Sequence, residues 1–194
     1  MKKLLMIAAL MVASLSANAQ GMYAKPMAGA VMTNLVGDVS DTKMLFGAVG
    51  GMEVGGNITK MFGLTGGLLF TMQGCKDYPA DAFINTPTTL HLNYLSIPLL
   101  ANVYVLPGLA IKAGPQVGLL VKAKRGDANY MDFCQKFDFS VPVGLSYEID
   151  DVVIDARYNI GVTKINKDDI HGFGTKDPMR NSLIMLTIGY KVPM

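Results

Sequence analysis

Tryptophan is absent from the 194-residue sequence, histidine and cysteine each occur twice, and charged residues make up only 16%. Each scarcity excludes something. With His91 and His171 as the whole supply of imidazoles, a histidine-based catalytic centre needs a nucleophile and an orienting group beside one of them. Cys75 and Cys134 stand at a spacing that matches no zinc or redox motif. There is no metal-ligand cluster and no phosphate-cradling glycine loop; the 21 glycines follow strands and turns. The 17 basic and 15 acidic residues are scattered and leave a net charge of +2, which gives no reason to invoke nucleic acid. Although 51% of the residues are hydrophobic, no run beyond the leader approaches the roughly 18 apolar residues of a membrane helix. A helical membrane protein is excluded.

The leader is Met1 to Ala19. Lys2 and Lys3 precede the apolar run Leu4 to Ala13, and Ala17-Asn18-Ala19 supplies a small-x-small cleavage pattern, the order of a secretory signal peptide. The run is too short for an anchor, which needs about 20 apolar residues. The expected division is a signal peptide over 1–19 and one domain over 20–194, exported through an oxidising compartment. There Cys75 and Cys134 have two readings, a single disulfide or two thiols.

What the sequence does hold is alternation. From Leu109 to Lys122, Leu109, Ile111, Ala113, Pro115, Val117, Leu119 and Val121 interleave with Ala110, Lys112, Gly114, Gln116, Gly118, Leu120 and Lys122. A period of two is that of a β-strand, and at about 3.3 Å per residue the run spans a bilayer even when tilted. Eight such runs occur, near Lys25 to Asn34, Gly47 to Asn57, Phe62 to Gln73, Leu90 to Leu106, Leu109 to Lys122, Lys136 to Glu148, Val152 to Thr163 and Asn181 to Val192. No helical period separates them, so neighbours pair antiparallel. Connections alternate: Ile58 to Met61, Pro107-Gly108 and Ile149 to Asp151 are tight, whereas Leu35 to Phe46, Gly74 to Thr89, Ala123 to Gln135 and Lys164 to Arg180 are long. Short periplasmic turns, long outer loops and an even strand number define a transmembrane barrel. The predicted fold is all-β, an eight-stranded antiparallel up-and-down transmembrane β-barrel.

The oily set must face lipid, leaving a polar, glycine-rich interior, the inverse of a soluble ligand-binding barrel. Phe62, Tyr147 and Tyr190 fall near the short-turn end of outward faces and Phe70, Phe137 and Phe139 near the long-loop end, two belts thinned by the lack of tryptophan. The predicted interior polar network comprises Glu53, Lys112, Gln116, Asp138, Asp155, Arg157 and Lys191. Eight strands leave room inside for little but side chains, and unpaired buried charge is costly, so a structural network is favoured over a conducting lining. At the outer rim Lys122, Lys124 and Arg125 stand at the height of lipopolysaccharide phosphates, supplemented by Lys164, Lys167, Lys176 and Arg180. Asp127, Asp132, Asp168, Asp169 and Asp177 dilute them toward an ordinary solvated surface.

Gly67-Leu68-Leu69-Phe70-Thr71-Met72-Gln73-Gly74, Leu92 to Leu100 (LNYLSIPLL), Lys112 to Gly118 (KAGPQVG), Asp155 to Gly161 (DARYNIG) and Ile188-Gly189-Tyr190-Lys191 together resemble the PorT-like outer-membrane β-barrel family of small porin-family barrels. The resemblance covers most of the chain from the third strand onward. It implies an eight-stranded barrel in a Gram-negative outer membrane; its namesake serves a protein-secretion and gliding system. The chain departs from the usual aromatic C-terminus by ending Val192-Pro193-Met194, leaving Gly189 to Val192 as the segment for the assembly machinery to read. The expected function is a non-enzymatic structural, loop-interaction or secretion-accessory role, without cofactor, catalytic residue or metal. Its expected partners are outer-membrane lipid, lipopolysaccharide, the barrel-assembly machinery and a protein at the loops. A narrow solute channel ranks second, and an enzyme acting on lipid or peptide through His91 or His171 third.

Overall fold

The computed structural model describes residues 20–36, 43–78, 88–131, 134–164 and 180–194. Its strands in chain order are β1 (Gln20–Val36), β2 (Lys43–Asn57), β3 (Phe62–Tyr78), β4 (Thr88–Leu106), β5 (Leu109–Ala113), β6 (Gln116–Arg125), β7 (Ala128–Asn129), β8 (Phe137–Ile149), β9 (Val152–Gly161), β10 (Arg180–Tyr190) and β11 (Val192–Pro193). These make eight staves. β5 and β6 form one stave interrupted at Gly114 and Pro115, where the proline has no N–H to donate but its carbonyl still accepts from Leu99 N at 2.9 Å. β7 folds back on β6, and β11 carries the last stave on along β1.

Every pairing is antiparallel, and β10 pairs β1, so the ladder closes into a ring. Closure satisfies the backbone without an edge, which a lipid environment demands. The alternation is visible along β9: Val153, Asp155, Arg157 and Asn159 are buried while Ile154, Ala156, Tyr158 and Ile160 are exposed. Exposed apolar side chains run round the exterior, among them Ile111, Val117, Leu145, Ile184, Leu186 and Ile188. Both expected aromatic belts face outward, Phe62, Tyr147 and Tyr190 at the tight-turn end and Phe70, Phe137 and Phe139 toward the loops.

Local chemistry fixes the tight turns. In the 58–61 turn Ile58 N donates to Phe62 O at 2.8 Å and the Thr59 hydroxyl accepts from Phe62 N at 3.0 Å. Pro107-Gly108 joins β4 to β5 with Gly108 at φ 80, the proline-then-glycine pattern of a type II turn. Asp150, at φ 53, occupies the left-handed region that aspartate tolerates better than most residues.

The interior differs from the polar, glycine-rich filling anticipated. Met27, Val31, Val49, Leu69, Leu183 and Met185, from β1, β2, β3 and β10, form a buried apolar cluster inside the ring. A second, nearer the loops, joins Cys75, Leu90, Leu92, Tyr94, Leu120, Ala123, Tyr130 and Cys134. In β1 both faces carry small or apolar residues, so alternation there has little contrast.

Candidate functional site

The lumen is crossed by charge on the tight-turn side of the first apolar cluster. Arg157 of β9 reaches Glu53 of β2, with Nη1 donating to Oε1 at 2.5 Å and Nη2 to Oε2 at 2.9 Å. The same guanidinium also holds Asp155, through Nε to Oδ1 at 2.6 Å and Nη2 to Oδ2 at 2.7 Å. Lys112 Nζ donates to Asp155 Oδ2 at 2.7 Å, and Lys25 Nζ lies 2.8 Å from Glu53 and 3.7 Å from Asp155. All five residues are at most 4% exposed. A planar fork gripping two carboxylates is the geometry that favours arginine over lysine.

Glycine makes the room. Gly67 is the cross-strand partner of Glu53, and Gly144 that of both Arg157 and Lys112. A Cβ at Gly67 would lie 2.7 Å from Glu53 Cγ, one at Gly144 2.9 Å from Arg157 Cγ, and one at Gly189 2.9 Å from Lys25 Cγ. Long charged stems therefore lie across bare backbone.

Of the seven residues expected in one network, Glu53, Lys112, Asp155 and Arg157 come together here, and the structure adds Lys25. Lys25 opens an Ala-, Met- and Gly-rich strand; its inward parity with Tyr23 and Met27 was the available signal. Gln116 is buried farther along the tube, opposite Ser140. Asp138 sits apart toward the loops and accepts from Thr163 Oγ1 at 2.8 Å. Lys191 lies at the tight-turn mouth, bonded to Glu148 and 4.5 Å above the Tyr23 ring centroid. There a cavity of about 450 Å³ opens among the turns, lined by residues including Lys60, Tyr104 and Pro107.

At the opposite end Arg125 requires correction. It is 1% exposed, with Nη1 donating to Tyr130 OH at 3.2 Å and its guanidinium carbon 5.6 Å from that ring's centroid, so it cannot form an outward contact with Lys122 and Lys124. The cause is a bulge. Leu120 pairs with Tyr94 but Lys122 with Asn93, leaving Val121 as an extra residue. Parity inverts there, turning Lys122 outward and Arg125 inward. Cys75 and Cys134 are buried thiols in the same cluster, without a disulfide. His91 is exposed on β4; His171, Lys167, Lys176, Asp132, Asp168, Asp169 and Asp177 lie outside the described residues.

The model of the outer membrane protein beta-barrel domain family matches residues 4–191. The chain belongs to that family. This outer-membrane barrel resides in the outer membrane of a Gram-negative bacterium, where barrels of this kind keep short turns periplasmic and long loops outside. Among solved structures it is similar to Neisserial surface protein A (18% identity, TM-score 0.56, covering 90% of this chain and 99% of that one). It is similar also to the attachment invasion locus protein Ail of Yersinia pestis (16%, 0.53, 89% and 99%) and to OprG of Pseudomonas aeruginosa (9%, 0.50, 90% and 97%). At these identities the likeness is one of fold. No curated protein matches the sequence.

Proposed function

We propose that this outer-membrane barrel is a closed, non-enzymatic scaffold that works through its long outer loops, in an adhesion, assembly or secretion-accessory role. One observation carries the reading: Arg157 and Glu53 meet across the lumen inside a five-residue ionic cluster, with a buried apolar cluster on its loop side. A tube filled in this way has its wall occupied with holding itself together, and variation is left to the loops. Residues 1–19 are then the cleaved leader.

Planar-bilayer recording tests the closed lumen. The purified barrel is expected to give no stable unitary conductance, and a reproducible conductance would establish the channel reading instead. Biogenesis supplies a second check. Tyr190 is half-exposed beside the end of the chain, its hydroxyl donating to Asp151 at 3.2 Å. If the assembly machinery reads Gly189 to Val192, Tyr190→Ala lowers the heat-modifiable barrel recovered from outer membranes several-fold; an unchanged yield refutes that assignment.

A further inference from the structure

The bulge that buries Arg125 has a second effect, on the outside of the barrel. Lys122 and Lys124 both face outward from β6. Lys124 is the cross-strand partner of His91 on β4, His91 is in turn opposite Gly74 on β3, and Lys76 follows two residues farther along β3. All four side chains are exposed. The positions between them are Met72, Gly74, Asn93 and Val121, none of them acidic, while Asn129 of β7 stands on the far side of Lys124 and the β6–β7 turn carries the exposed Asp127. Among the described residues Lys76, His91, Lys122 and Lys124 make no ion pair.

Their height matters as much as their charge. Directly membrane-ward on the same staves lie exposed Phe70, Met72 and Val121, so the cations begin where the lipid-facing apolar band ends. In an outer-membrane barrel the end of the apolar band on the loop side falls at the headgroup level of the outer leaflet. On the neighbouring stave β2 the exposed Lys43 is the cross-strand partner of Lys76, and below it Met44 and Phe46 are 50% and 67% exposed, so the cations reach β2 only at its end. Adjacent like charges repel, and flexible lysine stems can converge on a multivalent anion at the interface.

We propose that the outward face formed by Lys76, His91, Lys122 and Lys124 binds the phosphate groups of a lipopolysaccharide molecule packed against β3, β4 and β6. The site uses the wall and not the loops. It rests on the outer-membrane setting and is independent of whether the lumen conducts, so a conducting barrel that binds the lipid would overturn only the closed-lumen reading.

The test uses the folded full barrel in nanodiscs, titrated with bisphosphorylated lipid A, dephosphorylated lipid A, inorganic phosphate and phosphatidylglycerol vesicles. Each lysine near a charged surface contributes about fivefold in affinity. Lys124→Gln alone is therefore expected to weaken bisphosphorylated lipid A binding about fivefold, and Lys76→Gln/Lys122→Gln/Lys124→Gln roughly 100-fold. Lys60→Gln, on a periplasmic turn, leaves binding unchanged, and dephosphorylated lipid A binds the parent no better than bisphosphorylated lipid A binds the triple variant. Wild-type affinity in a folded triple variant, or in Lys124→Gln if the triple does not fold, overturns the proposal. So does equal binding of phosphatidylglycerol or inorganic phosphate, which would mark a generic anion surface.

Discussion

The periplasmic half of the lumen and its loop-ward half pose the same problem, a ring of eight staves to be filled. The first is filled by Lys25, Glu53, Lys112, Asp155 and Arg157 in mutual contact. The second is filled mainly by two apolar clusters, built on Leu69 and Met185 and on Leu92 and Tyr94, with Gln116, Arg125 and Asp138 also buried there. Ionic filling depends on register: shifting any contributing strand by one residue turns its charge toward lipid and strands its partners. Apolar filling is tolerant of register but sensitive to volume. The difference suggests a division of labour, with the charges specifying how the staves align and the apolar residues excluding water above them.

Breaking the ionic half should have the larger effect. Arg157→Met takes the bidentate guanidinium from Glu53 and Asp155 and leaves each carboxylate one lysine, Lys25 and Lys112 respectively, and loss of one member of a buried cluster costs about 3–5 kcal/mol. Urea titration of the barrel in lipid vesicles, followed by gel mobility without heating, measures it. Removing Glu53 as well, in Arg157→Met/Glu53→Gln, is expected to lower stability further, because Lys25 then loses its 2.8 Å carboxylate partner and two lysines face Asp155 alone. A double variant as stable as Arg157→Met would show that the Lys25–Glu53 contact contributes nothing.

In the apolar half Leu69→Ala opens a cavity beside Met27 and Met185. Leucine-to-alanine changes cost about 2–5 kcal/mol, less where neighbours collapse into the space, and flexible methionines are suited to that. The expected loss is about 2–3 kcal/mol in the same titration. A loss exceeding that of Arg157→Met would reverse the division of labour.

Most of the wall was legible in the sequence because lipid imposes a strict period of two. Strand count, turn positions and the outward faces of β8, β9 and β10 all follow from it. The lumen was legible only in part, because inward residues answer to one another across the tube and not to a uniform solvent. Asp155 and Arg157 stand out within an otherwise oily β9, but Lys25 lies in a strand whose two faces look alike. Asp138 and Lys191 carry the right parity yet sit too far along their staves to join the cluster. Arg125 was misassigned because one extra residue shifted every position after it.

That extra residue gives the smallest expected effect and the cleanest test of how the two ends of β6 are related. With Val121 present, Leu120 and Ala123 are both buried and two exposed residues separate them. Deleting Val121 removes the bulge and leaves Leu120, Lys122, Ala123, Lys124 and Arg125 in simple alternation, with Lys122 opposite Asn93 as before. The change touches a lipid-side residue and no buried bond, so stability should stay within about 0.5 kcal/mol, the range of ordinary surface substitutions. Arg125 should remain protected from arginine-directed modification. If deletion instead exposes Arg125, the residues after the gap have slipped by one against a fixed Leu119 and Leu120, and the register of β6 is set from the ionic cluster upward, not from its loop end downward.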